Sequence, residues 1–139
     1  MSDKKILIRV SEVMKKDFDI VDGMTSVAEA LQNMKHVGTK CLIVDKRHND
    51  DEYGIVLLSD IARKVLAVNR SPERVNIYEV MSKPVISVHP SMDIRYCAQL
   101  FDKFGLSRAS VIDNGKLTGI VSYTDMVVRG LMGDHEVQY

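Results

Sequence analysis

The 139-residue sequence has only two cysteines, no net charge and no long apolar run. Cys41 and Cys97 belong to no Cys-x-x-Cys pair, so we expect two buried, reduced thiols and no zinc site. Lys plus Arg number 19, as do Asp plus Glu, which argues against a general attraction to nucleic acid or to an anionic membrane. No window approaches the roughly 18 apolar residues of a membrane span, and the N-terminal apolar stretch is too short for a signal peptide. A cytoplasmic location is therefore expected.

The sequence also lacks the patterns of common catalytic sites. Its four histidines, His36, His48, His89 and His135, show no ligand spacing to one another, so no metal site is expected. No serine or cysteine lies in a nucleophile elbow, and no glycine-rich loop of the GxxxxGK[ST] kind is present. We therefore expect a protein that binds rather than catalyses, without a catalytic cofactor.

Self-similarity is the strongest positive signal in the chain. Val13-Met14 recurs as Val80-Met81, an offset of 67 residues. The same offset relates two apolar patterns with the spacing of an amphipathic helix. These are Val27, Ala30, Leu31, Met34 and Val37 in the first copy, and Ile94, Cys97, Ala98, Phe101 and Phe104 in the second. The chain is therefore predicted to contain an internal repeat.

Each predicted helix has its own start and stop signals. Ser26 with Glu29 forms a capping box before the first helix, and Asp93 is the equivalent N-cap of the second. Gly38 and Gly105, again separated by the repeat offset, are the expected C-terminal stops.

Two apolar strands follow each helix. Cys41–Asp45 is matched with Ala109–Asp113, which assumes that the offset slips slightly after the helix. Asn114-Gly115 predicts a tight hairpin in the second copy, whereas the first copy has the charged loop Lys46–Glu52, expected to be a solvated hairpin tip. The predicted strands are Phe18–Val21, Cys41–Asp45, Tyr53–Leu57, Val85–Val88, Ala109–Asp113 and Lys116–Val121, and the closing helices are Ser59–Val68 and Thr124–Leu131.

These elements predict an α+β, α/β-like fold of two tandem β-α-β-β-α repeats packed as one pseudo-twofold module. Residues 1–72 are the first repeat with an N-terminal segment, and residues 73–139 are the second repeat with a C-terminal tail. Asn69–Glu73 contains Ser-Pro and is the expected linker. Because a unit of about 60 residues leaves apolar surface unsatisfied, the pair is the expected folding unit.

A polar motif occurs twice where a strand passes into a helix. It is Ser59-Asp60 in the first copy, and Ser122 with Thr124-Asp125 in the second. A helix N-terminus and a hydroxyl suit a phosphate, and an aspartate can accept hydrogen bonds from the two hydroxyls of a ribose. In the alternative interpretation Ser59 and Thr124 are only N-caps and the aspartates are first-turn charges. Both interpretations remain open at this point.

From about Val10 to Leu131 the sequence resembles the cystathionine-beta-synthase-type (CBS) domain family, whose tandem pair is called a Bateman module. The resemblance rests on the Gly-Ile-Val strand followed by Ser/Thr-Asp at a helix start, which occurs at Gly54–Asp60 and again at Gly119–Asp125. It implies two clefts between the repeats that bind AMP, ADP or ATP, or in some members S-adenosylmethionine.

The resemblance also implies two sets of nucleotide-binding residues. The Asp125 set comprises Val85, Ile86, Ser87, Arg108, Ala109, Ser122, Tyr123, Thr124 and Asp125. The Asp60 set comprises Ile20, Lys40, Ser59 and Asp60. In the Asp125 set, Asp125 would hold the ribose, Arg108 a phosphate, and the strand from Val85 to Ser87 the adenine. Lys40 is matched with Arg108.

The Asp60 set departs from the family pattern. Leu57 replaces the hydroxyl of Ser122, and Asp19 puts a negative charge into the expected adenine strand. The site at Asp125 is therefore expected to bind nucleotide better than the site at Asp60.

The expected function is that of a stand-alone energy or nucleotide sensor that signals to a separate, unknown partner protein. The apolar final helix, Met126–Met132, is expected to pack against a second copy in a homodimer. The alternative is a ligand-free structural dimerisation module. An enzyme such as a nucleotide hydrolase ranks last, because no base, nucleophile or metal cluster is identified.

Overall fold

The computed structural model describes residues 7–83 and 86–132. It contains helices and two three-stranded sheets, which confirms the predicted mixture of helices and strands. In chain order the elements are α1 (Val10–Val13), β1 (Ile20–Val21), α2 (Val27–Gln32), a 3₁₀ turn (Val37–Thr39), β2 (Cys41–Val44), β3 (Gly54–Leu57), α3 (Leu58–Ile61) continued by a π-helix (Ala62–Leu66), a 3₁₀ turn (Ile77–Glu79), β4 (Ser87–Val88), α4 (Ile94–Phe104), β5 (Arg108–Asp113), β6 (Lys116–Ser122), and α5 (Tyr123–Asp125) continued by a π-helix (Met126–Leu131).

The described residues form two compact units, and the boundaries of these units differ from the boundaries of the two repeats in the sequence. The first unit is residues 17–83 and contains the sheet β1-β2-β3. The second unit is residues 7–16 and 86–132 and contains the sheet β4-β5-β6. Residues 7–16, which include the start of the first repeat in the sequence, therefore belong to the unit that carries the sheet of the second repeat. The division at residues 72 and 73 stays a prediction about the repeats in the sequence.

In the first unit β2 is the central strand. It runs parallel to β1, with Ile20 opposite Ile43, and antiparallel to β3, with Cys41 opposite Leu57. All four residues of β2 are buried. The core consists of Val27, Ala30, Leu42, Val44, Val56, Ile61, Val65, Val75, Ile77 and Val80.

The second unit repeats this topology. Ser87 lies opposite Ser110 on the parallel strand, and Arg108 lies opposite Ser122 on the antiparallel strand. Its core consists of Val10, Val13, Met14, Val88, Ile94, Cys97, Phe101, Ala109, Val111, Val121 and Met126. The residue after Met14 is tied to the sheet by two backbone hydrogen bonds, Lys15 N to Ile120 O at 2.8 Å and Ile120 N to Lys15 O at 2.9 Å.

The first repeat ends its helix earlier than the apolar spacing predicts. Helix α2 stops at Gln32, so the expected stop at Gly38 is wrong. The cause is Asp19, whose carboxylate accepts hydrogen bonds from the backbone N–H of Lys35 at 2.9 Å and of His36 at 2.8 Å. These bonds hold the chain in a non-helical path after Gln32. The carboxylate of Asp19 therefore helps to end helix α2.

The predicted N-caps, the stop at Gly105 and the hairpin turn are confirmed. Ser26 and Asp93 are the N-caps of α2 and α4, and each accepts a hydrogen bond from a backbone N–H in the first turn. Gly105 ends α4 with φ +67°, in the left-handed region that favours glycine. Asn114 and Gly115 both have positive φ, 52° and 76°, as the tight hairpin between β5 and β6 requires.

Candidate functional site

The carboxylate of Asp125 lies at the end of β6, inside the first turn of the closing helix. This helix begins at Tyr123 and its N-cap is Ser122, so the capping role left open for Thr124 belongs to Ser122. The Ser122 hydroxyl accepts a hydrogen bond from the N–H of Asp125 at 3.1 Å. Asp125 Oδ2 accepts from Ser122 N at 3.2 Å and from Ser122 Oγ at 2.9 Å. The motif therefore forms a reciprocal cap that fixes the position of the acid.

Lys15, which lies near the start of the first repeat in the sequence, neutralises this acid. Its ammonium Nζ lies 2.6 Å from Asp125 Oδ1, and the side chains of Lys15 and Asp125 are 25% and 1% exposed. A buried carboxylate needs such a partner, because an unpaired charge is strongly destabilised away from water. Sequence reasoning missed Lys15, which is 110 residues from Asp125. The available signal was its position directly after the repeated Val-Met pair.

Arg108 shares one face of the second sheet with Ser122, Ser110 and Ser87. Arg108 lies opposite Ser122, and Ser110 lies opposite Ser87. Alternation along β5 puts Ser110 on the same face as Arg108, while Ala109 turns its side chain into the core. Ser110 Oγ is fully buried and has no hydrogen-bond partner among the described residues. This face therefore carries an arginine opposite the last residue of β6 and, two residues further along β5, an unsatisfied hydroxyl.

The remaining described members of the Asp125 set lie just before and on β4 and in the first turn of α5. Ile86 is half-buried and Ser87 is exposed, whereas Val85 lies outside the described residues. Thr124 is exposed on the first turn of α5. The ring of Tyr123 packs edge-on against Phe101, with centroids 5.2 Å apart.

The Asp60 set is built on the same strand-to-helix turn without the hydroxyl. Helix α3 begins at Leu58 and its N-cap is Leu57, so Ser59 is not the cap and lies exposed in the first turn. Asp60 Oδ2 accepts a hydrogen bond from Leu57 N at 2.9 Å. Its other oxygen pairs with Arg63 of the same helix, whose side chain is 67% exposed.

The structure corrects the alignment of Lys40 with Arg108. Cys41 lies opposite Leu57 as Arg108 lies opposite Ser122, so Cys41 is the equivalent of Arg108. The offset of 67 residues therefore continues unchanged into the strand.

Backbone hydrogen bonds give the same correspondence. Leu58 N donates to Lys40 O at 3.0 Å, as Tyr123 N donates to Ser107 O at 3.1 Å. Lys40 is therefore the equivalent of Ser107 and adopts a left-handed φ of 59°. The Asp60 set has no counterpart of the Arg108 guanidinium, and its Ile20 is an exposed apolar residue.

The equivalent of Lys15 in the first unit is Ser82. Ser82 pairs with Ile55 through two backbone hydrogen bonds, as Lys15 pairs with Ile120. A serine at this position offers no charge, so the cation beside Asp60 comes from Arg63 instead. The two acids thus occupy matching places with different counter-ions.

A cavity of about 290 Å³ lies within the first unit, where β1 and β2 end, at the end of the sheet away from Asp60. It is lined by Asp22, Gly23, Met24, Val44, Asp45, Arg47, Tyr78, Met81 and Lys83. The Lys83 ammonium lies 2.7 Å from both carboxylate oxygens of Asp51. Hydrogen bonds from Lys83 and Arg47 hold the pKa of Asp51 well below its usual value. The hairpin loop predicted to be a solvated tip is therefore anchored at Asp51.

Both cysteines are buried and neither forms a disulfide, as expected. Burial raises the pKa of the Cys97 thiol to about 11, so this thiol is protonated at neutral pH. Within residues 7–83 and 86–132, no group of three or more His, Cys, Asp or Glu side chains is arranged to hold a metal ion. None of the helices formed by these residues has the length and apolar character needed to cross a membrane.

Similar folds occur in solved structures of CBS-domain proteins. A hexameric CBS-CP12 protein from bloom-forming cyanobacteria matches with a TM-score of 0.85 and 33% identity over 95% of this chain and 76% of that chain. A CBS domain protein of Thermoplasma acidophilum matches with a TM-score of 0.75 and 30% identity over 87% of this chain and 68% of that chain. The CBS domain pair of protein MJ0100, solved in complex with 5'-methylthioadenosine and S-adenosyl-L-methionine, matches with a TM-score of 0.73 and 25% identity over 87% of this chain and 94% of that chain.

Curated relatives are similar over most of this chain. An uncharacterized protein of Methanopyrus kandleri is 28% identical over 86% of this chain, and one of Methanocaldococcus jannaschii is 26% identical over 86%. The chain spans 61% and 64% of the length of these two relatives. The family model described as CBS domain matches twice, over residues 10–67 and 77–130. These two tandem matches confirm the predicted repeat and show that the chain belongs to the CBS domain family.

Proposed function

We propose that this CBS pair is a regulatory module that binds AMP, ADP or ATP at the Asp125 set and signals the cell's energy state to a separate protein. The observation that supports this most directly is the buried carboxylate of Asp125, which is capped by the hydroxyl of Ser122, the residue that lies opposite Arg108 in the sheet. The MJ0100 pair offers a parallel, because both of its named ligands contain adenosine. No catalytic step is part of the proposal.

Each part of a nucleotide has a complementary group in the Asp125 set. Asp125 would accept hydrogen bonds from the ribose hydroxyls, and Arg108 would bind a phosphate through its forked N–H groups. The unsatisfied Ser110 hydroxyl supports a polar ligand at this face, since a buried hydroxyl without a partner costs roughly 1–3 kcal/mol. Ile86 and Ser87 would lie against the base.

The Asp60 set is proposed to bind nucleotide weakly. Cys41 stands in place of Arg108, and Leu57 in place of Ser122. Neither side chain can replace the charge or the hydroxyl that it lacks. A regulatory signal would follow from occupancy of the Asp125 set, because a ligand shifts a conformational equilibrium only by its difference in affinity for the two states.

Titration calorimetry with AMP, ADP and ATP tests the nucleotide proposal. We expect Asp125→Asn to weaken binding by about tenfold or more, because hydrogen bonds to a charged group contribute roughly 1.5–3 kcal/mol. Asp60→Asn is the matched control at the equivalent position and should change the affinity by less than about threefold, since a site lacking the guanidinium contributes little of the binding energy. Wild-type protein that releases no binding heat with any of the three nucleotides, and shows no thermal shift with them, would contradict the proposal.

Exposed apolar side chains on the closing helix of the second unit support a homodimer. Leu131 is 72% exposed, and Val127 and Met132 are also largely exposed. The CBS-CP12 neighbours are hexameric. We propose that this helix packs against a second copy, because burying such side chains provides about 25 cal/mol per Å².

Sedimentation velocity tests the homodimer. We expect wild-type protein to sediment as a dimer and Leu131→Glu to sediment as a monomer, since a buried unpaired charge is strongly unfavourable. Met24→Glu is the control, because Met24 is as exposed as Leu131 but lies in a turn of the first unit. A monomeric wild type, or a dimeric Leu131→Glu variant, would refute the proposal that this helix forms the dimer interface.

One observation favours the alternative of a ligand-free dimerisation module. Both oxygens of Asp125 are already engaged, by Lys15 and by Ser122. An absorbance excess at 260 nm in freshly purified protein would reveal a retained nucleotide and exclude this alternative.

A further inference from the structure

The hydrogen bonds around Asp125 determine what a ribose must displace. Oδ2 is held by the backbone N–H and hydroxyl of Ser122, which cap the same helix. Oδ1 is held by Lys15 Nζ at 2.6 Å. Taking Oδ2 would break the helix cap, whereas taking Oδ1 requires only that the lysine side chain turn away. A ribose hydroxyl is therefore expected to replace Lys15.

The displaced ammonium cannot move far. The backbone of Lys15 is fixed by its two hydrogen bonds to Ile120 in β6, so only the flexible four-carbon side chain can reorient. The side chain is 25% exposed, which leaves the ammonium partly desolvated. A neutral nucleoside would break the ion pair and provide no replacement. A nucleotide also carries a phosphate, an anion with which the displaced ammonium can pair.

The first unit allows a comparison within the same chain, because it has no lysine at the position equivalent to Lys15. Its equivalent of Lys15 is the uncharged Ser82, and the cation beside Asp60 is Arg63 on the same helix. The Arg63 side chain is largely exposed, so water screens its charge. Any selection by a partly buried cation is therefore confined to the Asp125 set.

We propose that Lys15 is an anion-selecting residue of the Asp125 set: it neutralises Asp125 while the site is empty and binds the ligand's phosphate when a ribose takes its place. The proposal rests on the nucleotide-binding function proposed above and extends it. It makes the site favour adenosine ligands that carry a phosphate over neutral adenosine. It also assigns a binding role to a residue at the start of the first repeat, far in sequence from Asp125.

The test compares AMP with adenosine by calorimetry on three variants of the full chain. Lys15→Gln keeps a hydrogen-bond donor beside Asp125 and removes the charge. We expect it to bind AMP more weakly and adenosine at least as well as the wild type, so that the ratio of the two affinities falls about tenfold. Lys15→Arg should retain most of the preference. Lys16→Gln, a change at the exposed neighbouring residue, should leave the ratio unchanged.

The outcomes separate this inference from the proposed function. If the wild type and Lys15→Gln both bind AMP with the same preference over adenosine, Lys15 does not select and only this inference is overturned. If the wild type binds neither AMP nor adenosine, the nucleotide-binding function itself is overturned together with it. Thermal melting of each variant confirms that the comparison is made on folded protein. An equal fall of the ratio in Lys16→Gln would also overturn the assignment, because it would show a general effect of charge.

Discussion

Phe101→Ala is expected to lower the free energy of unfolding by about 3–5 kcal/mol. Phe101 is fully buried in the core of the second unit, on the helix α4 that packs against the sheet. Its ring also contacts Tyr123, in the first turn of the helix that carries Asp125. Removing the ring leaves a cavity in the core and withdraws support from this turn. Urea denaturation followed by circular dichroism measures the loss.

Phe104→Ala is the matched control for this substitution. Phe104 is the same residue type on the same helix, but its side chain is 51% exposed. Truncating it deletes much less buried surface, so the loss should be under about 1 kcal/mol. Equal losses in the two variants would show that the ring of Phe101 is not the centre of this core.

Gly119→Ala is expected to destabilise the second unit by about 1–3 kcal/mol, as overpacking typically does. A Cβ at Gly119 would lie 2.8 Å from the backbone oxygen of Lys15 and 2.7 Å from the sulfur of Met14. The methionine side chain can move, but the carbonyl belongs to the backbone pair between Lys15 and Ile120. The variant should therefore also weaken the contact of Lys15 with Asp125.

Gly38→Ala provides the control for a glycine-to-alanine change. A Cβ there meets no described atom within 4 Å, so the change in stability should stay within about 0.5 kcal/mol. Both variants are measured by chemical denaturation under the same conditions. A Gly119→Ala variant as stable as Gly38→Ala would show that α1 and the following residues are not held against β6.

The repeat in the sequence was sufficient to predict the class of fold. Caps at Ser26 and Asp93 and the hairpin at Asn114-Gly115 depend on neighbouring residues only, and the structure confirms all of them. The end of α2 was not predictable in this way. Asp19 acts on it from 16 and 17 residues away, and apolar periodicity contains no information about such a contact.

The errors at the candidate site have a similar cause. Aligning the apolar runs that end in Asp45 and Asp113 matches Cys41 with Ala109, whereas the strand registers make Cys41 the equivalent of Arg108. The partner of Asp125 depends on which unit contains residues 7–16, at the start of the first repeat. A repeat identified in sequence defines a period, but it does not say where each segment packs. Lys15 could therefore be assigned to Asp125 only from the structure.

The second unit is discontinuous in sequence: one part ends at Lys16 and the other begins at Ile86. The Arg129 guanidinium donates hydrogen bonds to the carbonyls of Val13 and Met14, so the early segment also contacts the closing helix. A circular permutant that begins at Asp17 and carries residues 7–16 behind the closing helix would make both units continuous in sequence. In such a chain, Lys15 and Asp125 would belong to one uninterrupted stretch of polypeptide.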